Sequence, residues 1–181
     1  AVHGFDDESW QVYTSEQTPL PSARLFGLLT HSEDLWMFGR SSQVFRIEYG
    51  SKIWQTLQQV QFQCQSPQFG EWYLHADGGI LQHHNGAWRR FDVLDIPMGI
   101  AATRKAGIWV YGGNNGQAAV AHFDGSEWQR YHFPTLSACI DYRAFCEGRD
   151  GSLWFGAGVD AFNQPDHRGG VVRFEQKNGE W

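Results

Sequence analysis

A short apolar stretch built on tryptophan, Asp150-Gly151-Ser152-Leu153-Trp154-Phe155-Gly156, returns in altered form along the whole chain. It reads Asp34-Leu35-Trp36-Met37-Phe38-Gly39 near the start, Gly70-Glu71-Trp72-Tyr73-Leu74 in the middle and Gly107-Ile108-Trp109-Val110-Tyr111-Gly112 further on. Successive tryptophans of this set lie 36, 37 and 45 positions apart (36 to 72, 72 to 109, 109 to 154). That spacing is close to the period of about 40 to 50 residues of a four-stranded propeller blade. A chain that repeats at this period builds its core between repeats rather than around one centre.

A second set alternates with the first: Trp10, Trp54, Trp88, Trp128 and Trp181. Most of its members follow a polar turn, as in Gly50-Ser51-Lys52, Asn85-Gly86, Asp124-Gly125-Ser126-Glu127 and Asn178-Gly179. The two sets together take up all nine tryptophans. One repeat can then be written as four strands. An inner strand such as 25–29 or 142–146 leads to the Trp strand, then to a third such as 44–47 or 171–174, and a hairpin gives a fourth such as 128–131. Asn85-Gly86 favours a type I′ hairpin, because both central residues of that turn need positive φ and Asn and Gly adopt it cheaply. A four-stranded antiparallel sheet cannot bury both faces alone, so sheets of this kind stack and large aromatics fill the gaps. The tryptophans are therefore read as packing residues rather than as ligand platforms.

Two stretches carry a family resemblance. Trp10-Gln11-Val12-Tyr13-Thr14 followed by Pro19-Leu20-Pro21-Ser22, together with the Asp-Gly-x-Leu-Trp-x-Gly motif at 150–156, resemble the two-component regulator propeller repeat. The resemblance covers repeats at about 23–57, 58–95, 98–134 and 140–181, with 1–22 as a terminal strand and link. His75-Ala76 stand where the family usually has Gly-Thr, and Arg40, Gly113 and Ala157 occupy its Thr position. The resemblance implies an all-β propeller in one domain over 1–181. It also implies a sensor-like role, a periplasmic or extracytoplasmic setting, and function on the face that carries the links between repeats and the loops between strands two and three.

The spacing Phe5 to Trp10 matches Phe123 to Trp128, so the N-terminus is expected to supply a fourth strand and the end of a third. Phe174 to Trp181 reaches the same motif. Two closures follow from this overlap: a small ring of four repeats sealed by residues 10–14, or a larger ring completed by further repeats or by self-association with another copy. Such closure protects strand edges that would otherwise pair with other chains.

Composition narrows the partners. The formal charge is −6, with 14 Lys and Arg against 20 Asp and Glu, so no broad positive field exists to hold nucleic acid. Arg89-Arg90 reads as a solvated strand face. No apolar run approaches the roughly 20 residues that span a bilayer, so membrane insertion is not expected, and Ala1 to Asp6 lack the shape of a signal peptide. Cys64, Cys139 and Cys146 show no Cys-x-x-Cys spacing and are odd in number, which points to structural thiols, and Cys64 and Cys146 fall in strand-like apolar segments that suit buried ones. A Cys139–Cys146 bridge is the alternative, and it would mark an oxidising compartment.

Candidate site residues fall where the loop between strands two and three lengthens. In the third repeat it is expected to run from Gly112 to Gln117 through Asn114 and Asn115. In the fourth it runs from Gly156 to Gly170 and collects Asp160, Asn163, Asp166, His167 and Arg168. Loops on a rigid scaffold are where binding groups gather. No nucleophile motif accompanies the adjacent Asp166 and His167, so catalysis is not expected. His83-His84 and His167 lack metal-ligand spacing, and no metal site is assigned. Calcium could accept Asp160, Asn163 and Asp166 as hard oxygen donors, but the loop lacks a calcium-binding pattern, and no cofactor is expected. The reading is a non-catalytic recognition module for a small molecule or a protein ligand. The alternatives are a carbohydrate-active protein, either a Trp-rich lectin or a lyase-like enzyme using Asp166 and His167, and a purely structural propeller.

Overall fold

The computed structural model describes residues 2–5, 10–14, 16, 25–31, 34–39, 44–48, 54–105, 107–158 and 169–181. Every named element in them is a β-strand and every strand pairing is antiparallel. The chain divides into two compact units, residues 1–62 and 63–181, with the boundary inside β7.

The first unit opens with a hairpin of β1 (Val2–Phe5) and β2 (Trp10–Tyr13), in which Phe5 stands opposite Trp10. Next come β3 (Leu25–His31), β4 (Asp34–Gly39), β5 (Val44–Glu48) and β6 (Trp54–Leu57), a four-stranded sheet whose strands lie in chain order. Trp36 pairs with Arg46, and Ile47 with Trp54. Met37, Val44, Phe45 and Ile47 are buried, so β5 is covered on both faces.

Three further sheets follow. The second holds β7 (Val60–Ser66), β8 (Gly70–His75), β9 (Ile80–His84) and β10 (Ala87–Phe91). The third holds β11 (Ile96–Thr103), β12 (Gly107–Asn114), β13 (Gln117–Phe123) and β14 (Trp128–Phe133). The fourth has three strands, β15 (Phe145–Glu147), β16 (Leu153–Ala157) and β17 (Gly170–Phe174). After β17 of this sheet an isolated antiparallel bridge joins Glu175 and Glu180. Its inner strand begins at Phe145 instead of Tyr142, because residues 141–144 turn instead, with the Ala144 N–H donating to the Asp141 carbonyl at 3.0 Å.

The two cores of the second unit lie on opposite faces of the third sheet, and the alternation of side chains along β12 decides which residue enters which. Ile108 and Val110 point toward the second sheet, where they meet Trp72, Ile80 and Phe69. Trp109 and Tyr111 point toward the fourth, among Leu153, Phe155 and Phe174. A strand buried on both faces reads as a continuous apolar run, and β12 is buried from Gly107 through Gly113.

The tryptophans divide accordingly. Trp72 and Trp109 are fully enclosed, whereas Trp154, at the matching place in β16, is 41% exposed. Its neighbours Leu153 and Phe155 face the third sheet, so alternation turns Trp154 to the opposite face. There the Arg173 guanidinium lies 5.3 Å from its ring centroid, and its indole N–H donates to Ser152 Oγ at 2.9 Å. The packing role expected of Trp154 is therefore not realised within the second unit. Trp88 is a second departure: the two-residue turn at Asn85-Gly86 pairs it with His83, and it remains 45% exposed.

The cysteines are all free thiols. Burial pushes the Cys64 thiol up to about 12 and the Cys139 thiol up to about 11, as suits inert packing groups. Cys146, expected to be buried, is exposed instead, because it pairs with Trp154 and shares its open face.

Candidate functional site

The chain passes from the third sheet to the fourth along residues 134–144, and this link fixes what surrounds it. The Ala118 N–H at the start of β13 donates to the Ser137 carbonyl at 2.6 Å, and the Gly169 N–H donates to the neighbouring Leu136 carbonyl at 2.7 Å. The Ile140 N–H donates to Gly112 in β12 at 2.9 Å, and the next amide, Asp141, donates to Gly156 in β16 at 3.0 Å. Ile140 and Asp141 thus tie the ends of both Trp strands together, and Leu136 and Ser137 hold the starts of the strands that follow them. The third-sheet turn and the return point of the fourth-sheet insertion emerge at the same end of adjacent sheets.

The third-sheet loop is tighter than its sequence suggests. Gly112, Gly113, Asn114 and Gln117 belong to the strands, with Asn114 opposite Gln117, which leaves a two-residue turn at Asn115-Gly116. Both turn residues have positive φ, 52° and 72°, and the same geometry recurs at Asn85-Gly86 with 50° and 74°. The expected expansion in the third repeat is therefore a lengthening of the strands. The Asn114 side-chain amide donates to His132 Nε2 at 2.9 Å, and the Asn115 backbone N–H donates to Asp95 Oδ2 at 2.6 Å. Asn114 is thereby held over the outer strand β14, and the turn is fastened to the link that precedes β11.

Asp160, Asn163, Asp166, His167 and Arg168 lie outside the described residues. Their insertion leaves β16 after Ala157 and rejoins β17 at Gly170, on the end of the sheets just defined.

The link adds residues that loop length alone does not mark. Tyr142 is exposed, and the Arg143 guanidinium sits 4.9 Å from its ring centroid. Arg143 Nε also pairs with Asp141 Oδ1 at 3.1 Å, which holds the Asp141 carboxyl below its ordinary range. An exposed aromatic face beside a guanidinium and a carboxylate offers stacking together with polar recognition. The sequence reads Tyr142 and Arg143 as part of an inner strand, whereas they stand on the link before β15.

On the second sheet, Asp77 binds Arg90 at 3.0 Å, and Arg90 also reaches Asp92 at 3.1 Å. The Arg90 hydrogen bonds hold the Asp77 carboxyl well below the usual carboxylate range. Arg90 is thus committed to carboxylates of its own sheet, as suits a solvated strand face. His83 donates from Nδ1 to Glu71 Oε2 at 2.6 Å and stacks on Trp88 with ring centroids 4.6 Å apart. Among the described residues, no group of three or more His, Cys, Asp or Glu could hold a metal ion. Among the described residues, no helix is long and apolar enough to cross a membrane. No protein-family model matches the chain, and no curated protein matches it either.

Proposed function

We propose that the sheets are blades of a β-propeller, and that the chain is a non-catalytic recognition module. Its ligand, a small molecule or a protein segment, binds on the end of the third and fourth sheets that carries Asn114, Asn115, Tyr142, Arg143 and the 159–168 insertion. The observation that carries this reading is the tie of Gly112 and Gly156 to the adjacent residues Ile140 and Asp141, which sets the link beside the ends of β12 and β16, the strands that lead into the third-sheet turn and the fourth-sheet insertion. Rigid sheets presenting a cluster of polar and aromatic groups suit recognition. Among its described residues, no acid and base are set against a nucleophile, and the cluster is read as a binding site.

The test is a thermal-shift screen of small molecules and peptides, followed by titration of Asn114→Ala, Tyr142→Ala, Arg143→Ala, Asp166→Ala, His167→Ala and Arg168→Ala. At least some of these variants lose affinity while melting near the parent temperature, because exposed groups contribute little to stability. Affinity within twofold of the parent in all six would reject the location. A second reading, carbohydrate binding, is favoured by the half-exposed Trp88 ring stacked on the Glu71-bound His83. A glycan array distinguishes it, since Trp88→Ala would then abolish binding while the link variants would not.

A further inference from the structure

We propose that Asn85, at the tip of the β9–β10 hairpin, is a site of spontaneous deamidation, and that it is the first of the chain's Asn-Gly and Asp-Gly pairs to react.

The chemistry asks for asparagine followed by glycine. The Gly nitrogen attacks the Asn side-chain carbonyl carbon, so that an N–Cγ bond forms. The Cγ–Nδ2 bond breaks, and ammonia leaves with the proton of the Gly amide. Water then opens the cyclic imide at either carbonyl, which gives aspartate or isoaspartate. Glycine favours the first step because no Cβ crowds its nitrogen. An Asp-Gly pair closes the same ring with loss of water, but only while its carboxyl is neutral.

Six such pairs occur: Asn85-Gly86, Asn115-Gly116, Asn178-Gly179, Asp77-Gly78, Asp124-Gly125 and Asp150-Gly151. All six glycines have positive φ, so their conformation does not separate them. Hydrogen bonding does. Asp77 accepts the Gly79 N–H at 2.9 Å and pairs with Arg90 at 3.0 Å. Asp124 accepts the N–H groups of Ser126 and Glu127 at 2.8 and 3.0 Å, and Asp150 accepts the hydroxyl and N–H of Ser152. These bonds favour the ionised carboxyl, which is a poor electrophile. Asn178 is fastened at both reacting groups. Its side-chain amide donates to Glu180 Oε2 at 2.8 Å, and the Gly179 N–H donates to the Glu175 carbonyl at 2.9 Å.

Asn85 and Asn115 carry no such restraint. Among the described residues, neither side-chain amide takes a hydrogen-bond partner, and neither does the N–H of Gly86 or Gly116. What protects them is the hairpin itself. Positive φ at both turn residues, with His84 opposite Ala87 and Asn114 opposite Gln117, is the type I′ pattern. Such a turn holds ψ of its first central residue at about +30°, the mirror of a type I turn. Tetrahedral geometry at Cα then sets the Gly nitrogen nearly anti to Cβ, out of reach of Cγ. The ring closes only after the Asn backbone rotates, so the rate follows how often each turn opens.

The two turns differ in what resists opening. Asn115 joins β12 to β13, both interior strands of the third sheet and both buried along most of their length. Its N–H is also anchored on Asp95 at 2.6 Å. Asn85 joins β9 to β10, the outermost strand of the second sheet, exposed from Ala87 through Arg90. Asn85 therefore reacts ahead of Asn115. Either product adds a negative charge, and isoaspartate also lengthens the backbone, which a two-residue turn cannot absorb. The stack of His83 on Trp88 is the next pair along the hairpin and is disturbed with it.

The experiment incubates the full chain in mildly alkaline heavy-oxygen water, folded and in denaturant. Peptide mass spectrometry, with fragmentation that separates aspartate from isoaspartate, follows all six pairs. In the folded protein Asn85 takes up heavy oxygen first, Asn115 and Asn178 react at least about tenfold more slowly, and the three Asp-Gly pairs lag behind Asn85. In denaturant the three asparagines converge to within about threefold, because the fold no longer separates them. Asp95→Ala speeds Asn115 in the folded protein and leaves Asn85 unchanged. Folded protein in which Asn115, Asn178 or an Asp-Gly pair keeps pace with Asn85 overturns the proposal. So does an Asn85 that stays intact while its denatured form reacts. A tenfold gap that persists in denaturant would assign the order to neighbouring residues instead of the hairpins, and an Asn115 rate indifferent to Asp95→Ala would reject turn opening as the controlling step.

Discussion

The indole of Trp72 meets that of Trp128 edge-on across the gap between the second and third sheets, with ring centroids 5.9 Å apart and planes at 87°. Trp109 and Trp181 repeat the arrangement one sheet later, at 6.2 Å and 79°. Each contact joins one member of the first tryptophan set to one member of the second. The alternation of the two sets along the chain is therefore the linear image of contacts between consecutive sheets.

Trp72→Ala and Trp109→Ala each remove an enclosed indole and leave a cavity between sheets that are otherwise well packed, which costs about 3 to 5 kcal/mol. Trp154→Ala costs less than about 1 kcal/mol in the monomer, because its ring already meets solvent. Urea midpoints measured at dilution separate the two classes. Equal losses for Trp109→Ala and Trp154→Ala would show that Trp154 is covered within one chain.

His122 lies on Trp109 with ring centroids 4.4 Å apart, and burial lowers its pKa below the ordinary 6.5. The native state therefore favours the neutral ring, and the unfolded chain binds the proton at a higher pH. The stability that follows is complete above about pH 6.5 and falls as pH drops from there through the folded pKa. His122→Gln is expected to flatten this slope, since Gln82 already holds the matching position opposite Trp72. Urea titrations at neutral and mildly acid pH compare the slopes. The same slope in both proteins would assign the effect to another histidine.

Much of this architecture was legible in the sequence because it rests on short-range rules. Asn85-Gly86 and Asn115-Gly116 occupy hairpin turns with positive φ at both residues, and the Trp strands fall on β4, β8, β12 and β16. What the sequence hid depends on which face a residue takes and on what lies across from it. Trp109 and Trp154 sit in similar local sequence, yet one is enclosed and the other open, because only the first has a sheet beyond it in the second unit. The candidate site was half legible for a similar reason. Asn114 could be found from its loop, whereas Tyr142 and Arg143 gained their place through backbone bonds from Ile140 and Asp141 to distant strands.

Acid should unfold the chain partly through its turn aspartates. Ser152 donates to Asp150 Oδ1 from both its hydroxyl, at 2.7 Å, and its N–H, at 3.0 Å, and Arg173 adds an ion pair. These bonds lower the Asp150 pKa to about 2, and the bonds from Glu127 and Ser126 do the same for Asp124. A depressed carboxylate stabilises the native state above its unfolded pKa near 3.9, and that contribution is lost as pH falls through about 2. Ser152→Ala is expected to raise the Asp150 pKa and to narrow this window. A carboxyl titration followed by nuclear magnetic resonance reads it directly, and an unchanged Asp150 curve would assign the depression to Arg173.

The sharpest steric prediction concerns Gly112, three residues after Trp109. A Cβ there would stand 2.0 Å from the Ile96 carbonyl oxygen and 2.9 Å from the Met98 nitrogen, both backbone atoms that cannot swing aside as a side chain would. The irregularity between Pro97 and Gly99 in β11 accompanies this close approach, and Gly112 pairs with Pro97 beside it. Gly112→Ala therefore has to push β11 outward, at a cost near the upper end of overpacking, about 3 kcal/mol. Gly158 supplies the control, because among the described residues nothing lies within 4 Å of its added Cβ, and Gly158→Ala is expected to stay within about 0.5 kcal/mol of the parent. The Gly112 carbonyl also receives the Ile140 N–H, so the substitution disturbs the tie that gathers the link beside the third-sheet turn. Gly112→Ala should then lose stability and ligand affinity together, whereas Asn114→Ala loses affinity alone. Melting curves and titrations on the two variants distinguish these outcomes, and a Gly112→Ala protein as stable as the parent would show that β11 has room to move.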